Sequence, residues 1–225
     1  MKGRAKPVRA VNFLSKQATW EDEENFPIAK DILKGITEEL GFSVPSAIQG
    51  YAIPLITKKE DDKYSSLIAQ SKNGSGKTGA FTVGSTLRVD PNIPKTQVIV
   101  LCHIRELAAQ IADVYSKIVK YANITVMNHT ATGKINDAQI VVMTLGGLKN
   151  ALGGRQKVLD LAELRCIVVD EVDHFFGDDK NKQQFYDINN KHIAKLPQQI
   201  QWLLFSATYP EDVVTAVDEF CPQAY

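Results

Sequence analysis

The chain has 225 residues, which is enough for one domain with a sizeable core. Its 26 Lys and Arg residues balance 26 Asp and Glu residues, which excludes a histone-like polycation, so that any nucleic-acid site must be a local patch. Hydrophobic residues make up 44% and charged residues 23%, as in ordinary globular proteins.

The cysteines and the hydropathy pattern indicate a compartment. Cys102, Cys166 and Cys221 are odd in number and fit no zinc-ligand spacing, so we predict buried thiols in a reducing environment. The sequence contains neither a long apolar run nor a signal peptide, and we therefore expect no membrane association. The expected state is a monomer in the cytoplasm, the nucleus or both.

The first segment is basic. Residues 1–18 carry five Lys or Arg residues and no acidic residue, which predicts a flexible N-terminal arm ahead of one domain at 19–225. Contact with RNA and a nuclear import signal are alternative roles for this arm.

Two helices are predicted next. Apolar residues recur with a helical period over 28–40, and Gly41 is placed to end that helix. Pro45 marks the start of a second helix that reaches Ile56. Gln49 in this helix has an amide whose acceptor and donor match the N6 amino group and N7 of adenine, although most Gln side chains are simply solvated.

A phosphate-binding loop is predicted at residues 71–78. An apolar strand at 67–69 leads into the loop and a helix to about Leu87 follows it, which favours a binding loop over a chance glycine-rich turn. Glycines let backbone N–H groups surround phosphate oxygens, Lys77 would reach the β- and γ-phosphates, and Thr78 would hold Mg²⁺. The predicted nucleotide-binding residues of the loop are Ser71, Gly74, Ser75, Gly76, Lys77 and Thr78.

Apolar strands and helices alternate through the rest of the chain. Strands are predicted at 98–102, 124–127, 140–143, 166–169 and 202–205, and helices at 105–121, 148–152, 182–193 and 210–220. Because the strands are apolar throughout, both faces of the sheet must be covered. The prediction is an α/β doubly wound parallel sheet with helices on both faces, which binds ligands at the carboxyl ends of its strands.

Two carboxylates follow the strand at 166–169. In a phosphate-loop enzyme Asp170 fits the role of holding Mg²⁺ through water, and Glu171 fits the activation of the attacking water. The alternative is that both residues only cap the next helix.

Hydroxyl groups follow the last predicted strand. Ser206 and Thr208 could bond Asp173 or Glu171 and sense the nucleotide, or they could cap the helix that begins near Pro210. Both roles can hold together.

Taken together, these motifs resemble the first RecA-like domain of a DEAD-box RNA helicase over roughly residues 19–225. Residues 41–49 resemble the adenine-reading Q motif, 71–78 motif I, 104–107 motif Ia, 170–173 motif II and 206–208 motif III. The resemblance implies ATP and Mg²⁺ as cofactors, RNA as a partner, and an RNA-dependent ATPase that remodels RNA or RNA–protein complexes.

The resemblance also implies roles for individual residues. The catalytic residues would be Lys77, Asp170 and Glu171. Coupling of the nucleotide state to RNA binding would fall to Asp173, Ser206 and Thr208. Arg105 and the turn at 144–147, with Thr144 and Gly146, would contact RNA phosphates. An aromatic residue ahead of the Q motif should stack on adenine, and here Trp20 or Phe26 must serve.

Within the family, the chain most resembles the ATPases that remodel mRNA–protein particles at the nuclear pore during mRNA export. The long loop before Leu67 and the stretch 88–91 carry this likeness, which implies nuclear-pore or mRNA-export proteins as partners. The Cys102-His103 pair instead resembles the mRNA export and splicing helicases that have a Cys in motif II.

Several positions depart from the family pattern. His103 and Ile104 stand where relatives have a Pro-Thr pair along the RNA backbone, Val172 replaces an Ala, and residues 145–147 lack the usual cation or hydroxyl. These changes leave ATP chemistry in place and predict weaker RNA binding.

The second RecA-like domain is expected to be absent from this chain, because no His-Arg-x-Gly-Arg stretch occurs in it. That motif supplies arginine fingers to the γ-phosphate, so the isolated domain should be nearly inactive and bind RNA weakly. The alternatives are a helicase-like nucleotide-binding adaptor without RNA-coupled turnover and a DNA-directed ATPase of related fold.

Overall fold

The fold is centred on a parallel sheet in the computed structural model, which describes residues 19–129, 135, 138–153, 158–221 and 224–225. The predicted arm at 1–18 lies outside these residues. Within them the strands are β1 (Lys59–Glu60), β2 (Lys63–Tyr64), β3 (Leu67–Gln70), β4 (Val98–Cys102), β5 (Val126–His129), β6 (Ile140–Thr144), β7 (Cys166–Asp170) and β8 (Gln201–Ser206). Strands β3 to β8 form one six-stranded sheet in the order β3-β8-β7-β4-β6-β5, with every pair parallel.

The helices connect these strands. They are α1 (Lys30–Lys34), α2 (Ala47–Thr57), α3 (Lys77–Thr86), α4 (Arg105–Ile118), α5 (Leu145–Gly153), α6 (Val172–Phe176), α7 (Asp179–Ile188) and α8 (Glu211–Phe220). Wider π-helical turns at Gly35–Glu39 and Asn189–Ile193 extend α1 and α7.

Both faces of the sheet are buried, because alternate residues of each strand enter different cores. Val98 and Val100 of β4 lie in one cluster with residues of α1 to α4, whereas Ile99 and Leu101 lie in a second cluster with residues of α5 to α8. Helices therefore cover both faces, and the predicted doubly wound α/β fold is confirmed. The three cysteines are buried free thiols, as predicted.

The first predicted helix is present but interrupted. Its α-helical hydrogen bonding gives way to a π-helical turn at Gly35, where the backbone meets α4 so closely that a Cβ atom would lie 2.1 Å from the Ile118 carbonyl oxygen. Gly41 has φ of +69°, which agrees with its predicted place just after the helix.

Several local predictions are wrong. The expected turn at 144–147 is the end of β6 and the first turn of α5, which begins at Leu145 rather than Leu148. Strand β5 starts two residues later than expected, and α7 starts at Asp179, where the Asp178 side chain accepts a hydrogen bond from Asn181 N at 2.8 Å. The charged segment near residue 60 forms the β1–β2 hairpin, with Asp61 and Asp62 both at positive φ.

Across the ranges that the structure describes, we find no helix with the combined length and apolarity needed to cross a membrane.

Candidate active site

Three motifs meet because the strands that precede them are neighbours in the sheet. Strand β8 pairs with β3 on one side and with β7 on the other, and Gln70 lies beside Ser206 while Phe205 lies beside Asp170. Parallel strands end at the same edge, so the phosphate loop, the Asp170 segment and the Ser206 segment share one site.

The loop at 71–78 has the backbone that a phosphate cradle needs. Gly74 and Gly76 have φ of +75° and +97°, in the left-handed region that favours glycine. A Cβ atom on Gly76 would also lie 2.6 Å from Ser46 Oγ, so α2 packs directly against the loop. Helix α3 begins at Lys77 and adds the partial positive charge of its N-terminus.

Lys77 is buried and reaches back into its own loop. Its Nζ donates to the carbonyl oxygens of Ser71 at 2.6 Å and Lys72 at 3.1 Å, and to Asn73 Oδ1 at 3.2 Å. Ser71 and Ser75 are joined by a hydroxyl hydrogen bond of 2.7 Å across the loop. The ammonium group is thus held inside the cradle by oxygen acceptors of the kind that phosphate also offers.

Gln49 lies at the border between α2 and the loop. Its side chain is 3% exposed, Oε1 accepts from Ser46 N at 2.8 Å, and Nε2 donates to Gly76 O at 3.3 Å. The reading of Gln49 as a solvated side chain is therefore wrong. Its amide is held in one orientation and still has one hydrogen and one lone pair to offer a base.

The predicted adenine platform requires a correction. Trp20 and Phe26 pack edge to face in the core with 3% and 2% exposure, and Trp20 Nε1 donates to Phe42 O at 2.8 Å. Neither ring presents a face for stacking, because this local packing completes the core beneath α2. Phe42 is half-buried and lies beside Gly79 and Gln49. It is the aromatic ring next to the Gln49 amide, and sequence reasoning missed it.

Asp170 lies at the end of β7 and is 9% exposed. Burial, reinforced by the negative charge of Glu171, raises the pKa of its carboxyl to about 6, and the Lys77 ammonium opposes this shift. Asp170 Oδ1 accepts a hydrogen bond from Glu171 N at 3.1 Å. A bound cation would favour the ionised form of this carboxyl.

Glu171 has φ of +56° and ψ of +56°, which is uncommon for a residue other than glycine. The carboxylate lies against the segment between β4 and α4, where Glu171 Oε2 is 2.5 Å from His103 Nδ1. Sequence reasoning noted His103 for its family likeness and its departure from the family pattern, and did not predict this contact.

Asp173 joins the second and third motifs. Its Oδ1 accepts from Ser206 Oγ at 2.7 Å and its Oδ2 accepts from Thr208 Oγ1 at 2.6 Å. Burial works to raise the pKa of Asp173, but the hydrogen bonds from Thr208 and Ser206 outweigh burial and lower it. Of the two carboxylates considered from the sequence, the hydroxyls therefore bond Asp173.

The residues present fit a nucleotide with Mg²⁺. Backbone N–H groups and Lys77 surround the cradle, the half-buried Thr78 opens α3 beside it, and Asp170 supplies a carboxylate at the same edge. Hydroxyl and carboxylate oxygens are the ligands that Mg²⁺ prefers.

A groove of about 490 Å³ lies next to this site and contains the three predicted RNA contacts. Arg105 is exposed at the start of α4, and Gly146 is exposed with open space where a Cβ would stand. Thr144 Oγ1 accepts from Gly147 N at 3.2 Å, so it caps α5. The groove also exposes His103 and Ile104, so its walls include an imidazole and an apolar side chain.

Fold and site together define a phosphate-loop nucleotide-binding domain of the RecA-like class. Residues 46–217 match the DEAD/DEAH box helicase family, and the chain belongs to that family, as the motifs predicted.

Relatives and solved structures agree with this assignment. The chain is 36% identical over 205 residues to ATP-dependent RNA helicase dbp5 of Schizosaccharomyces pombe, covering 89% of this chain and 39% of that protein. It is 32% identical over 212 residues to probable ATP-dependent RNA helicase ddx6 of Dictyostelium discoideum, covering 91% and 47%. S. cerevisiae Dbp5 bound to RNA and ADP BeF3 superposes with a TM-score of 0.81 at 30% identity, covering 92% of this chain and 51% of the other.

A structure of an S. cerevisiae Dbp5 variant bound to Nup159, a Gle1 variant, IP6 and ADP has a TM-score of 0.78 at 31% identity, covering 88% and 51%. Similarity to the Dbp5 helicases confirms the predicted subfamily likeness. The chain spans about two fifths to one half of the length of the curated relatives it matches.

Proposed function

We propose that residues 19–225 act as the first RecA-like domain of an ATP-dependent RNA helicase of the Dbp5 type, binding ATP with Mg²⁺. The observation that carries the proposal is the meeting of the phosphate loop, Asp170 and the Asp173–Ser206–Thr208 group on the neighbouring strands β3, β7 and β8. The shared sheet edge supports the proposal that phosphate binding, metal binding and a polar link between motifs act together.

Binding is divided among a few side chains. Lys77 exchanges its loop acceptors for phosphate oxygens, and the N–H groups of the cradle donate to the same oxygens. Gln49 offers its free hydrogen and lone pair to the adenine edge, while Phe42 lies beside the amide. Thr78 and Asp170 would hold Mg²⁺, and the ion would supply positive charge beside the phosphates.

The chain's own residues also serve the chemical step. Glu171 orients the attacking water through its carboxylate, which requires that this carboxylate leave His103. Asp173 holds Ser206 and Thr208, so a movement of the 170–173 segment on nucleotide binding is passed to the segment after β8. Arginine residues of a second RecA-like domain are needed for fast phosphoryl transfer, so this domain by itself turns over slowly.

RNA binding is proposed for the groove beside the site. Arg105 and the N-terminus of α5 at Thr144 and Gly146 contact phosphates, which gives sequence-independent and salt-sensitive binding. His103 and Ile104 weaken it, because they replace a polar lining with an imidazole tied to Glu171 and an apolar side chain. Similarity to the Dbp5 helicases supports a role in mRNA export, with nuclear-pore proteins as partners in the nucleus or cytoplasm.

ATP turnover by the purified chain tests this proposal, measured with and without single-stranded RNA and with single-stranded DNA as a competitor. We expect slow hydrolysis with little stimulation, and RNA binding that DNA displaces poorly. Robust RNA-stimulated turnover by this chain would refute the need for a second domain. Equal competition by DNA would favour the DNA-directed ATPase, and nucleotide binding without any RNA binding would favour the adaptor.

A further inference from the structure

Two imidazoles and one carboxylate meet where the chain passes from β4 to α4 and from β7 to α6. His103 Nδ1 lies 2.5 Å and His174 Nε2 lies 4.0 Å from the same atom, Glu171 Oε2. The imidazole rings are stacked, with centroids 4.3 Å apart and an angle of 12° between their planes. Both ring nitrogens thus lie near one carboxylate oxygen. Because an imidazole lone pair lies in the ring plane, parallel rings cannot both aim at one ion, and the half-exposed His174 ring would turn to bind it.

The closest pair in this cluster is not a normal hydrogen bond. His103 Nδ1 and Glu171 Oε2 are both buried atoms, and neither takes part in a hydrogen bond of normal geometry. Buried polar atoms ordinarily have a partner, because leaving one unsatisfied costs free energy. Apart from the ion pair between them, these two buried ligand atoms have no partner, so both are able to bind a shared ion.

Geometry favours a metal ion. In a tetrahedral zinc site with bonds of about 2.0–2.1 Å, neighbouring ligand atoms lie about 3.3 Å apart. The observed separations of 2.5 and 4.0 Å bracket that spacing, and all three ligand atoms lie within 4.8 Å of one another. Among the described residues, no other group of three or more His, Cys, Asp or Glu side chains satisfies the same condition.

We propose that His103, Glu171 and His174 form a binding site for a divalent transition-metal ion, with Zn²⁺ or Co²⁺ as the fitting class. Two imidazoles and one carboxylate suit such ions, whereas Mg²⁺ prefers oxygen ligands. Three protein ligands leave one coordination position for water. The half-exposed His174 provides access from the groove.

Cys102 stays outside this ligand set although it precedes His103. It is 1% exposed in β4, and its sulfur is not among the ligand atoms that lie within 4.8 Å of one another in the cluster. We therefore expect no thiolate ligand.

Metal binding has a consequence for turnover that rests on the proposed function. A bound ion takes the Glu171 carboxylate, which is then unavailable to orient water. Excess transition metal would therefore slow ATP hydrolysis while the Mg²⁺ ligands Thr78 and Asp170 stay in place. Binding itself does not depend on any ATPase activity.

The test is a titration of the purified chain with Co²⁺, followed by displacement with Zn²⁺, without nucleotide. Visible absorption reports the coordination of Co²⁺, and a thiolate ligand adds a separate charge-transfer band. The variants are His103→Gln and His174→Gln, with His192→Gln as the matched control on the turn Asn189–Ile193. Thermal melting checks folding, and the half-exposed His174 provides a variant that leaves the core intact.

We expect one Co²⁺ per chain without the thiolate band, displaced by Zn²⁺. His103→Gln and His174→Gln should each weaken Zn²⁺ binding by at least about tenfold, because loss of a residue that hydrogen-bonds a metal ligand already costs that much and loss of the ligand itself costs no less. His192→Gln should bind Zn²⁺ as the parent does. Three results would overturn the site: a thiolate band, an equal affinity for Zn²⁺ in the parent and all three variants, or a Co²⁺ spectrum that does not change when the protein is added. Binding of a fluorescent adenine nucleotide with Mg²⁺, measured separately, distinguishes failure of this site from failure of the nucleotide site.

Discussion

A methyl group added at Gly79 tests whether the Gln49 amide reads the base. Gly79 lies in the first turn of α3, facing α2. A Cβ atom there would lie 2.3 Å from Gln49 Nε2 and 3.0 Å from Phe42 Cε2. Because real Cβ contacts are not this short, the Gly79→Ala variant must push the amide away from Gly76 O and Ser46 N.

The expected cost follows from the two hydrogen bonds of that amide. Losing both hydrogen bonds lowers the free energy of unfolding by about 1–3 kcal/mol, whereas the higher helix propensity of Ala raises it by about 1 kcal/mol. The net fall is about 0–2 kcal/mol. The displaced amide also loses its aim at adenine, which should cost about 1–2 kcal/mol of binding, or about tenfold in Kd. Phosphate contacts are unchanged, so a guanine nucleotide loses little.

Fluorescence titrations with labelled ADP and GDP in the presence of Mg²⁺ measure this difference. We expect Gly79→Ala to weaken ADP binding by about tenfold and to reduce the preference for ADP over GDP. Gly153→Ala is the matched control, since a Cβ at Gly153 meets open space. If Gly79→Ala keeps the full preference for ADP, the assignment of Gln49 is wrong.

Three further substitutions test other parts of the site. Asp170→Asn should raise the free energy of unfolding by about 2–3 kcal/mol at pH 8. The pKa of Asp170 is about 6 in the folded protein and 3.8 for an ordinary Asp, so its ionisation at pH 8 destabilises the fold, and Asn removes that charge. This gain shrinks as the pH falls below 6 and vanishes below about pH 4, and thermal melting of Asp170→Asn beside the exposed control Asp218→Asn measures it. Ser206→Ala removes a hydrogen bond to the Asp173 carboxylate and should lower the free energy of unfolding in urea by about 1.5–3 kcal/mol; an unchanged value would mean that the bond contributes nothing. Arg105→Ala should reduce the slope of log affinity for single-stranded RNA against log salt by about one, whereas an unchanged slope would place the RNA phosphates elsewhere.

The sheet was predictable because its strands are apolar along their whole length. Runs such as Val98–Cys102 are apolar at every position, which only a strand covered on both faces explains, and the helix period over 105–121 is regular. The phosphate loop was predictable for a different reason, since its glycines and Lys77 are constrained by the chemistry of one ligand. Strand order then brought the motifs together at one edge.

The failures have local physical causes. Trp20 and Phe26 carry no signal in sequence for whether an aromatic ring faces the core or a ligand, and packing beneath α2 decided the matter. The turn expected at 144–147 came from the family resemblance, but Thr144 caps a helix there. The contact between His103 and Glu171 joins residues that follow the paired strands β4 and β7, so only the assembled sheet reveals it.

Nucleotide binding by the purified chain tests the central claim most directly. A fluorescent adenine nucleotide is titrated with Mg²⁺ into the parent, Lys77→Ala and Lys72→Ala, the last being an exposed lysine of the same loop. Saturable binding by the parent and Lys72→Ala, with a loss of at least about tenfold in Lys77→Ala, is the predicted result, because the buried Lys77 holds its ammonium among the oxygens of the cradle. Equal affinity in all three proteins, or no binding by the parent, would contradict the phosphate loop as the nucleotide site.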